Sequence, residues 1–359
     1  MRGRPKLYTS YTTETALFPT TLQKVMIGLF LAVLVLMPFD LPVINDLPLV
    51  RFLGDNSWLR PVNRMLIFAI AAVGLNLLSG VAGQVSLGHA FFMGVGASTA
   101  VLVGGASTSR LWGWGLPMWI WLPAAGLVAA AVGVLVAPAA VRVRGLYLGI
   151  ATIGLVFIGI HLSRVFPEIA GPPQLGRKWP RLELRVWKEE EALVDFSRKG
   201  HWLWFDIGNN QKTYLLLLVI LVGLSLVAAN LARSRTGRSW AAIRDRDVAA
   251  EIMGVAEFRA KTTAFAISSF YAGVAGALLA SLSGYMYPEA WNLLLSVELI
   301  AILLIGGMGR ISGALMGSFF VALSPRFLEE SVRWAAEQAE GDGVIAGIWD
   351  SLISLGPSD

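Results

Sequence analysis

The chain has 359 residues, of which 55% are hydrophobic and only 15% charged, and its mean hydropathy is +0.64. That balance excludes an ordinary water-soluble domain. The absence of cysteine excludes disulfides, thiolate catalysis and cysteine-based metal sites. The formal net charge of +5 comes from cations in the connections between apolar blocks, which points to membrane topology and away from a nucleic-acid partner.

The apolar blocks run to about 16 to 30 residues, the reach of a helix across the hydrocarbon core. Lipid cannot satisfy open backbone groups, and the blocks lack the alternation of barrel strands. The expectation is therefore an all-α, polytopic transmembrane helical bundle of about eight to ten spans. Residues 1–24 are polar and carry Arg2, Arg4 and Lys6, so they read as an uncleaved cytoplasmic tail.

The transmembrane domain is expected over residues 25–324. Its first span, about residues 25–39, is stopped by a connection containing Pro38, Pro42 and Pro48 that ends near Arg60 and Pro61. Between Arg64 and Arg110 the only ionisable residue is His89, and at 1.5 Å per residue this stretch reaches roughly 65 to 70 Å, enough for two crossings. Its break falls at Ser79-Gly80-Val81-Ala82-Gly83-Gln84-Val85-Ser86, uncharged and glycine-rich. Irregular backbone of this kind is tolerated at membrane depth where protein lines a cavity.

Two further spans, about 119–141 and 146–161, are joined by Arg142-Val143-Arg144-Gly145, and two arginines in so tight a turn place it in the cytoplasm. Residues 162–213 hold Pro167, Pro172, Pro173, Pro180, the run Glu189-Glu190-Glu191 and Trp179, Trp187, Trp202 and Trp204, and read as an extracytoplasmic elaboration. A span at about 214–231 leads into a connection over 232–261 crowded with Arg233, Arg235, Arg238, Arg244, Arg246, Arg259 and Lys261, which the positive-inside bias puts in the cytoplasm. Within it, 241–254 is helical in pattern, with Ala242, Val248, Ala249, Ile252 and Met253 at apolar positions and Gly254 as a stop; such a helix could lie along the membrane surface. A span at 262–284 follows, then an apolar stretch over 293–323 interrupted at Gly306-Gly307-Met308-Gly309-Arg310. Residues 325–359 form a mixed-charge tail with a short apolar piece at 344–355 as a candidate last helix. This topology places the N-terminus inside.

Small residues recur every fourth position in Ala90/Gly94/Ser98, Gly276/Ala280/Gly284 and Gly309/Gly313/Gly317, the spacing of close helix packing. More pointed is Gly83-Gln84-Val85-Ser86-Leu87-Gly88-His89-Ala90, which sets Gln84, Ser86 and His89 among apolar helices. A helix beginning near Ser86 would offer free amides and its dipole to an anionic group, with His89 on the same face. Equally, Gln84 and Ser86 could cap helix ends and His89 could bond a backbone carbonyl. Asn76 within the second span and Glu298 within the 293–323 stretch complete the candidate solute path. There is no nucleotide-binding Gly-x-x-x-x-Gly-Lys-Ser/Thr loop and no His-Glu-x-x-His, and His89, His161 and His201 are scattered, so neither catalytic nor metal-binding residues are assigned.

Three segments together resemble a known family. They are Gly74-Leu75-Asn76-Leu77-Leu78-Ser79-Gly80 running into Gly83 to Phe92, Arg142-Val143-Arg144-Gly145-Leu146-Tyr147, and Arg233-Ser234-Arg235-Thr236-Gly237-Arg238 continuing to Ala241-Ala242-Ile243-Arg244-Asp245 and Ala249-Ala250-Glu251. With Ser296-Val297-Glu298 leading to Gly306-Gly307-Met308-Gly309 and Gly313, they are similar to the LivM-type permeases of ATP-binding-cassette importers for branched-chain amino acids, over most of residues 62–324.

The resemblance implies that the segment around 233–254 couples the bundle to an ATPase, through Arg233, Gly237, Arg238, Arg244, Asp245, Ala250, Glu251 and Gly254. It implies as partners a second, LivH-type permease, two ATPase subunits that use ATP and Mg, and an extracytoplasmic solute-binding protein, in a bacterial inner membrane. No cofactor is expected in this chain itself. Where the family commonly carries a Thr-Gly-Gly-like stretch after the fifth span, this chain reads Ile169-Ala170-Gly171-Pro172-Pro173. The expected function is passage of branched-chain or other small amino acids. The alternatives are a urea or short-amide permease of the same family, a self-sufficient secondary transporter, and a membrane-embedded transferase using His89 with a carboxylate.

Overall fold

The computed structural model describes residues 21–39, 56–108, 111–143, 145–172, 176–179, 182–185, 194–196, 200–202 and 205–339. The expected tail before residue 21, Pro42, Pro48, Arg144, Pro173, Pro180, the glutamate run at 189–191, Trp187, Trp204 and the apolar piece at 344–355 lie outside the described residues.

α1 (Thr21–Leu36) is followed by α2 (Asn56–Leu75), which runs on through a π-turn at Asn76–Val81. α3 (His89–Gly104), α4 (Met118–Arg142), α5 (Leu146–Val165) and the short α6 (Pro167–Ala170) come next. After a loop region with small strand pairs, α7 (Asn209–Arg233) leads to α8 (Arg235–Asp245) and α9 (Asp247–Ile252). α10 (Glu257–Ser283), α11 (Leu293–Gly306) and α12 (Ile311–Ala339) complete the chain. Among the described residues, 7 helices are long and apolar enough to cross a membrane, and α1 and α3 are shorter apolar helices. A multi-pass, all-α membrane bundle is the result.

Two helices form its centre. In α2 78% of the most apolar window is buried and in α10 67%, against 22% in α5 and in α7, whose outward faces carry Tyr147, Phe157 and Val219. α10 packs against α2, α3 and α4, while α2 also meets α7, α11 and α12. Hydrophobic burial cannot hold helices together where the surroundings are as apolar as the side chains, so close backbone approach takes over. A Cβ at Gly276 on α10 would stand 2.0 Å from the Met93 carbonyl oxygen on α3, and one at Gly96 would stand 2.2 Å from the Gly273 carbonyl oxygen. On the other side of the bundle, a Cβ at Gly317 on α12 would stand 2.0 Å from the Ile302 carbonyl oxygen on α11.

The fourfold spacing of small residues thus marks real contacts at Gly94, Gly276, Gly313 and Gly317, but it misassigns Gly284, which ends α10 and has no neighbouring group to accommodate. The spacing also misses Gly96 and Gly273, which pack against each other.

Three local expectations are corrected. The helical pattern over 241–254 is two helices, because Arg246 adopts an extended conformation (φ −157°, ψ 104°) between α8 and α9. The helix that opens α8 starts at Arg235, and its buried face is Gly237, Trp240 and Ile243. The mixed charge after residue 324 is helical continuation: α12 runs through Pro325 to Ala339, with Arg326 paired to Glu329 (3.0 Å) and Glu330 (2.6 Å) at i+3 and i+4. Phe327 packs its ring 5.2 Å from that of Trp58 and ties this extension to the start of α2.

The 162–213 region is fastened to the bundle by backbone. Arg177–Lys178 pairs antiparallel with Tyr285–Met286, just after α10. The buried Arg177 side chain donates from Nη1 to the carbonyls of Ile169 (3.0 Å) and Glu168 (3.3 Å), capping α6, and burial lowers its pKa from the ordinary arginine value.

The packing predicts opposite outcomes at two helical glycines. Gly276→Ala overpacks the α3–α10 crossing and is expected to destabilise the protein by about 1–3 kcal/mol. Gly154→Ala, on α5 with nothing near a new Cβ, is expected to be neutral or to stabilise by up to about 1 kcal/mol. Thermal unfolding of the purified protein in detergent distinguishes them.

Candidate functional site

α2 departs from α-helical periodicity at Asn76. The π-turn brings the Ala82 amide to the Leu77 carbonyl oxygen (3.0 Å) and the Gln84 amide to that of Leu78 (3.0 Å), so the chain leaves the helix one register late. Residues 82–88 then run without regular structure back into the bundle, and α3 begins at His89. α3 is only 16 residues long, about 24 Å, so this non-helical segment supplies the rest of its crossing.

Hydroxyls from neighbouring helices satisfy amides near the start of α3. Leu87 donates to Thr152 Oγ1 of α5 (2.9 Å) and Ala90 to Ser296 Oγ of α11 (3.0 Å). The helix therefore starts at His89, later than the start near Ser86 that the sequence suggests, and the Ala90 amide in its first turn is already taken. His89 turns toward α2, where Nε2, which must carry the proton, donates to the Ala71 carbonyl oxygen at 3.1 Å. Gln84 Nε2 donates to the Ala82 carbonyl oxygen at 3.3 Å, and Ser86 is buried with no partner for its hydroxyl.

The second break, between α11 and α12, lies against the first. Gly309, at φ +87°, presents its amide to Asn76 Oδ1 at 2.8 Å, across 233 residues of sequence. Arg244, near the end of α8, donates from Nη1 to the Gly80 carbonyl oxygen. The approach requires glycine: a Cβ at Gly80 would lie 2.2 Å from Asn76 Oδ1 and 2.5 Å from the Gly309 nitrogen, and one at Gly83 would lie 2.7 Å from Arg244 Cγ. The π-turn, the Gly307-Met308-Gly309 turn and the arginine-bearing helix therefore form one junction.

The remaining residues of the 233–254 segment surround this junction. Arg233 closes α7, and Gly237 sits where a Cβ would be 2.1 Å from the Ala232 carbonyl oxygen, so α8 turns tightly off α7. Arg238 is exposed and bonds the Arg233 carbonyl (3.1 Å), and Asp245 and Glu251 are exposed. Ala250 is buried, and Gly254 follows the end of α9 with its amide on the Glu251 carbonyl (2.9 Å). Trp240 is the anchor that the sequence pattern overlooks: fully buried, it donates from Nε1 to the Ala260 carbonyl oxygen (2.9 Å) and locks α8 to α10. The apolar positions Val248, Ile252 and Met253 point away from the bundle, 59%, 82% and 83% exposed.

Glu298 stands apart from the junction. It faces Arg64 of α2 at 3.6 Å, and Arg64 also stacks over Phe68, 4.9 Å from the ring centre. A cavity of about 230 Å³ opens elsewhere, between α3 and α5, lined by Phe91, Val95, Leu102, Val156 and Trp291. Its hydroxyls, Ser98, Thr99 and Ser163, each bond a carbonyl of their own helix. None of Asn76, Gln84, Ser86, His89 and Glu298 lines it. Among the described residues no three His, Asp or Glu side chains gather as a metal site.

Residues 59–348 match the family described as branched-chain amino acid transport system / permease component, and the chain belongs to it. Relatives include the high-affinity branched-chain amino acid transport system permease protein LivM of Escherichia coli, 32% identical over 296 residues, and the LivM protein of Salmonella typhimurium, 31% identical over 296 residues. Each match covers 79% of this chain and 66% of the relative, so the chain spans just under two thirds of the length of these proteins. The xylose transport system permease protein XylH of Escherichia coli is 34% identical over 129 residues, 34% of this chain and 31% of XylH. No solved structure matches the chain.

The two interhelical hydroxyls that sequence pattern alone did not single out for this role, Thr152 and Ser296, are testable as caps. Thr152→Val and Ser296→Ala each strip the acceptor from an amide and are expected to cost about 1–3 kcal/mol. Ser98→Ala, whose hydroxyl bonds only its own helix, should leave the stability within about 0.5 kcal/mol of the original in the same thermal unfolding measurement.

Proposed function

We propose that this chain is a membrane-spanning permease subunit of an ATP-driven importer and forms, with a second permease, the path for branched-chain or other small amino acids. Family membership supplies the class of activity, and the relatives that cover the most of this chain are named for branched-chain amino acids. In this reading two ATPase subunits supply the energy, an external binding protein delivers the solute, and the chain sits in a bacterial inner membrane with its N-terminus in the cytoplasm. This orientation is supported by Lys24 near the start of α1, Arg142 at the end of α4 and the cations of 233–261 between α7 and the start of α10, which alternate crossing would bring to one side.

The observation that carries the coupling assignment is the contrast between the two sides of α8 and α9. One side is locked into the bundle through Trp240, Ile243 and Ala250, and the other exposes Val248, Ile252 and Met253 together with the charged Asp245 and Glu251 of the same segment. An apolar patch rimmed by charge at the end of a membrane bundle suits a protein groove. Gln84, Ser86, His89, Asn76 and Glu298 remain the proposed polar lining or support of the solute path, with bonds to Gln84, His89 and Asn76 and the Arg64 pair of Glu298 orienting four of them.

Two measurements test this reading. Vesicles containing the chain with its partner permease, ATPases and binding protein should accumulate radiolabelled leucine only when ATP is present inside the ATPase compartment. ATP-independent accumulation by this chain alone would establish the secondary-transporter alternative instead. The double substitution Ile252→Asp with Met253→Asp should abolish co-purification of the ATPase subunits while leaving the permease's thermal midpoint unchanged, because both side chains are more than four-fifths exposed.

A further inference from the structure

We propose that Arg244 and Asn76 act as paired positioning residues, a latch through which movement of α8 and α9 reaches both helix breaks at once. The proposal rests on the coupling reading above and adds the route by which the movement enters the bundle.

The first half of the latch is ionic. The Gly80 carbonyl lies at the C-terminal end of α2 and its π-turn, where free carbonyls and the helix dipole favour a cation. That cation comes from outside the helix: Arg244 reaches it from α8 across 164 residues of sequence. Its side chain lies along Gly83, where φ is +69° and no Cβ intrudes. Because Trp240 binds α8 to α10, a displacement of α8 relative to α2 must either carry the π-turn with it or release the Gly80 carbonyl from Arg244.

The second half joins the breaks to each other. Asn76 is fully buried, and its Oδ1 accepts the amide of Gly309 in the α11–α12 turn. The donor on Gly309 fixes the amide orientation, since a flipped side chain would set one N–H against another. Its Nδ2 is buried with no acceptor. A π-turn holds one residue more than the α-helix around it, so shifting that residue along the helix would re-aim the Asn76 side chain and move the Gly309 turn. An unspent donor on the residue that joins the two breaks is what a second arrangement of this junction would use. Both bonds satisfy backbone groups freed by the breaks, and both must be remade if the two breaks shift relative to α8.

The test is a double-mutant cycle in vesicles holding the complete importer, reading leucine moved per ATP hydrolysed. Arg244→Ala and Asn76→Ala are each expected to lower this ratio about tenfold, the scale of losing a buried or charge-assisted hydrogen bond. The double variant should fall no further than the lower of the two single variants, because both act on one latch. Arg244→Lys, which can still donate to one carbonyl, should recover to within about threefold of the original. Multiplying losses in the double variant, or an unchanged ratio in either single variant, overturns the proposal. If an alanine variant does not assemble, Arg244→Gln and Asn76→Ser take its place with the same two outcomes. Ile252→Asp separates the latch from the coupling reading beneath it. If Ile252→Asp uncouples while the latch variants do not, the latch alone fails; if Ile252→Asp changes nothing, the coupling assignment fails.

Discussion

A helix that breaks inside a membrane protein frees backbone groups where lipid offers no partner, and each must be met by another part of the protein. In this chain two helices break, after Leu75 and after Gly306, and the two breaks are placed so that they satisfy one another. Asn76 takes the Gly309 amide, Arg244 meets the Gly80 carbonyl, and hydroxyls of Thr152 and Ser296 take amides near the start of α3. The order of the bundle follows: α2 must stand beside α11 and α12, α3 must start between α5 and α11, and α8 must fold back against the end of α2.

The glycines serve the same constraint. At Gly80, Gly276, Gly306 and Gly317 a Cβ would fall within 2.5 Å of atoms of another helix or turn, too close for any side chain. Removing side chains there lets backbones meet directly, which compensates for the lack of a hydrophobic gradient between helix and lipid. The peripheral helices α1, α5 and α7 carry fewer such contacts and present their apolar faces outward.

Much of the fold was legible from sequence because membrane crossing imposes length and composition on each segment separately. The positions of the breaks near Gly83 and Gly309 were legible for a similar reason: a glycine-rich, uncharged interruption of an apolar run loses helix propensity without gaining the charge that would carry it into water. The helix start at His89, the kink at Arg246 and the continuation of α12 past Pro325 were not, because each is accompanied by packing or bonds that the local pattern does not carry. Thr152 and Ser296 decide the first, the burial of Ile243 and Ala250 on one side of α8 and α9 accompanies the second, and Trp58 packs against Phe327 in the third.

The sequence by itself determined that the chain is a polytopic α-helical membrane protein, which segments are long and apolar enough to be candidate spans, and which motifs set it among the branched-chain amino acid permease components. Apolar length, glycine and charge are local properties, readable residue by residue. Only the tertiary structure decided that the three motifs of the resemblance that lie far apart, around residues 74–90, 233–251 and 306–313, meet at one junction, and that Asn76 Oδ1 and His89 Nε2 bond backbone groups there and on α2. Those facts depend on hydrogen bonds spanning up to 233 residues, and a pairing of that range leaves no periodicity in the chain that forms it.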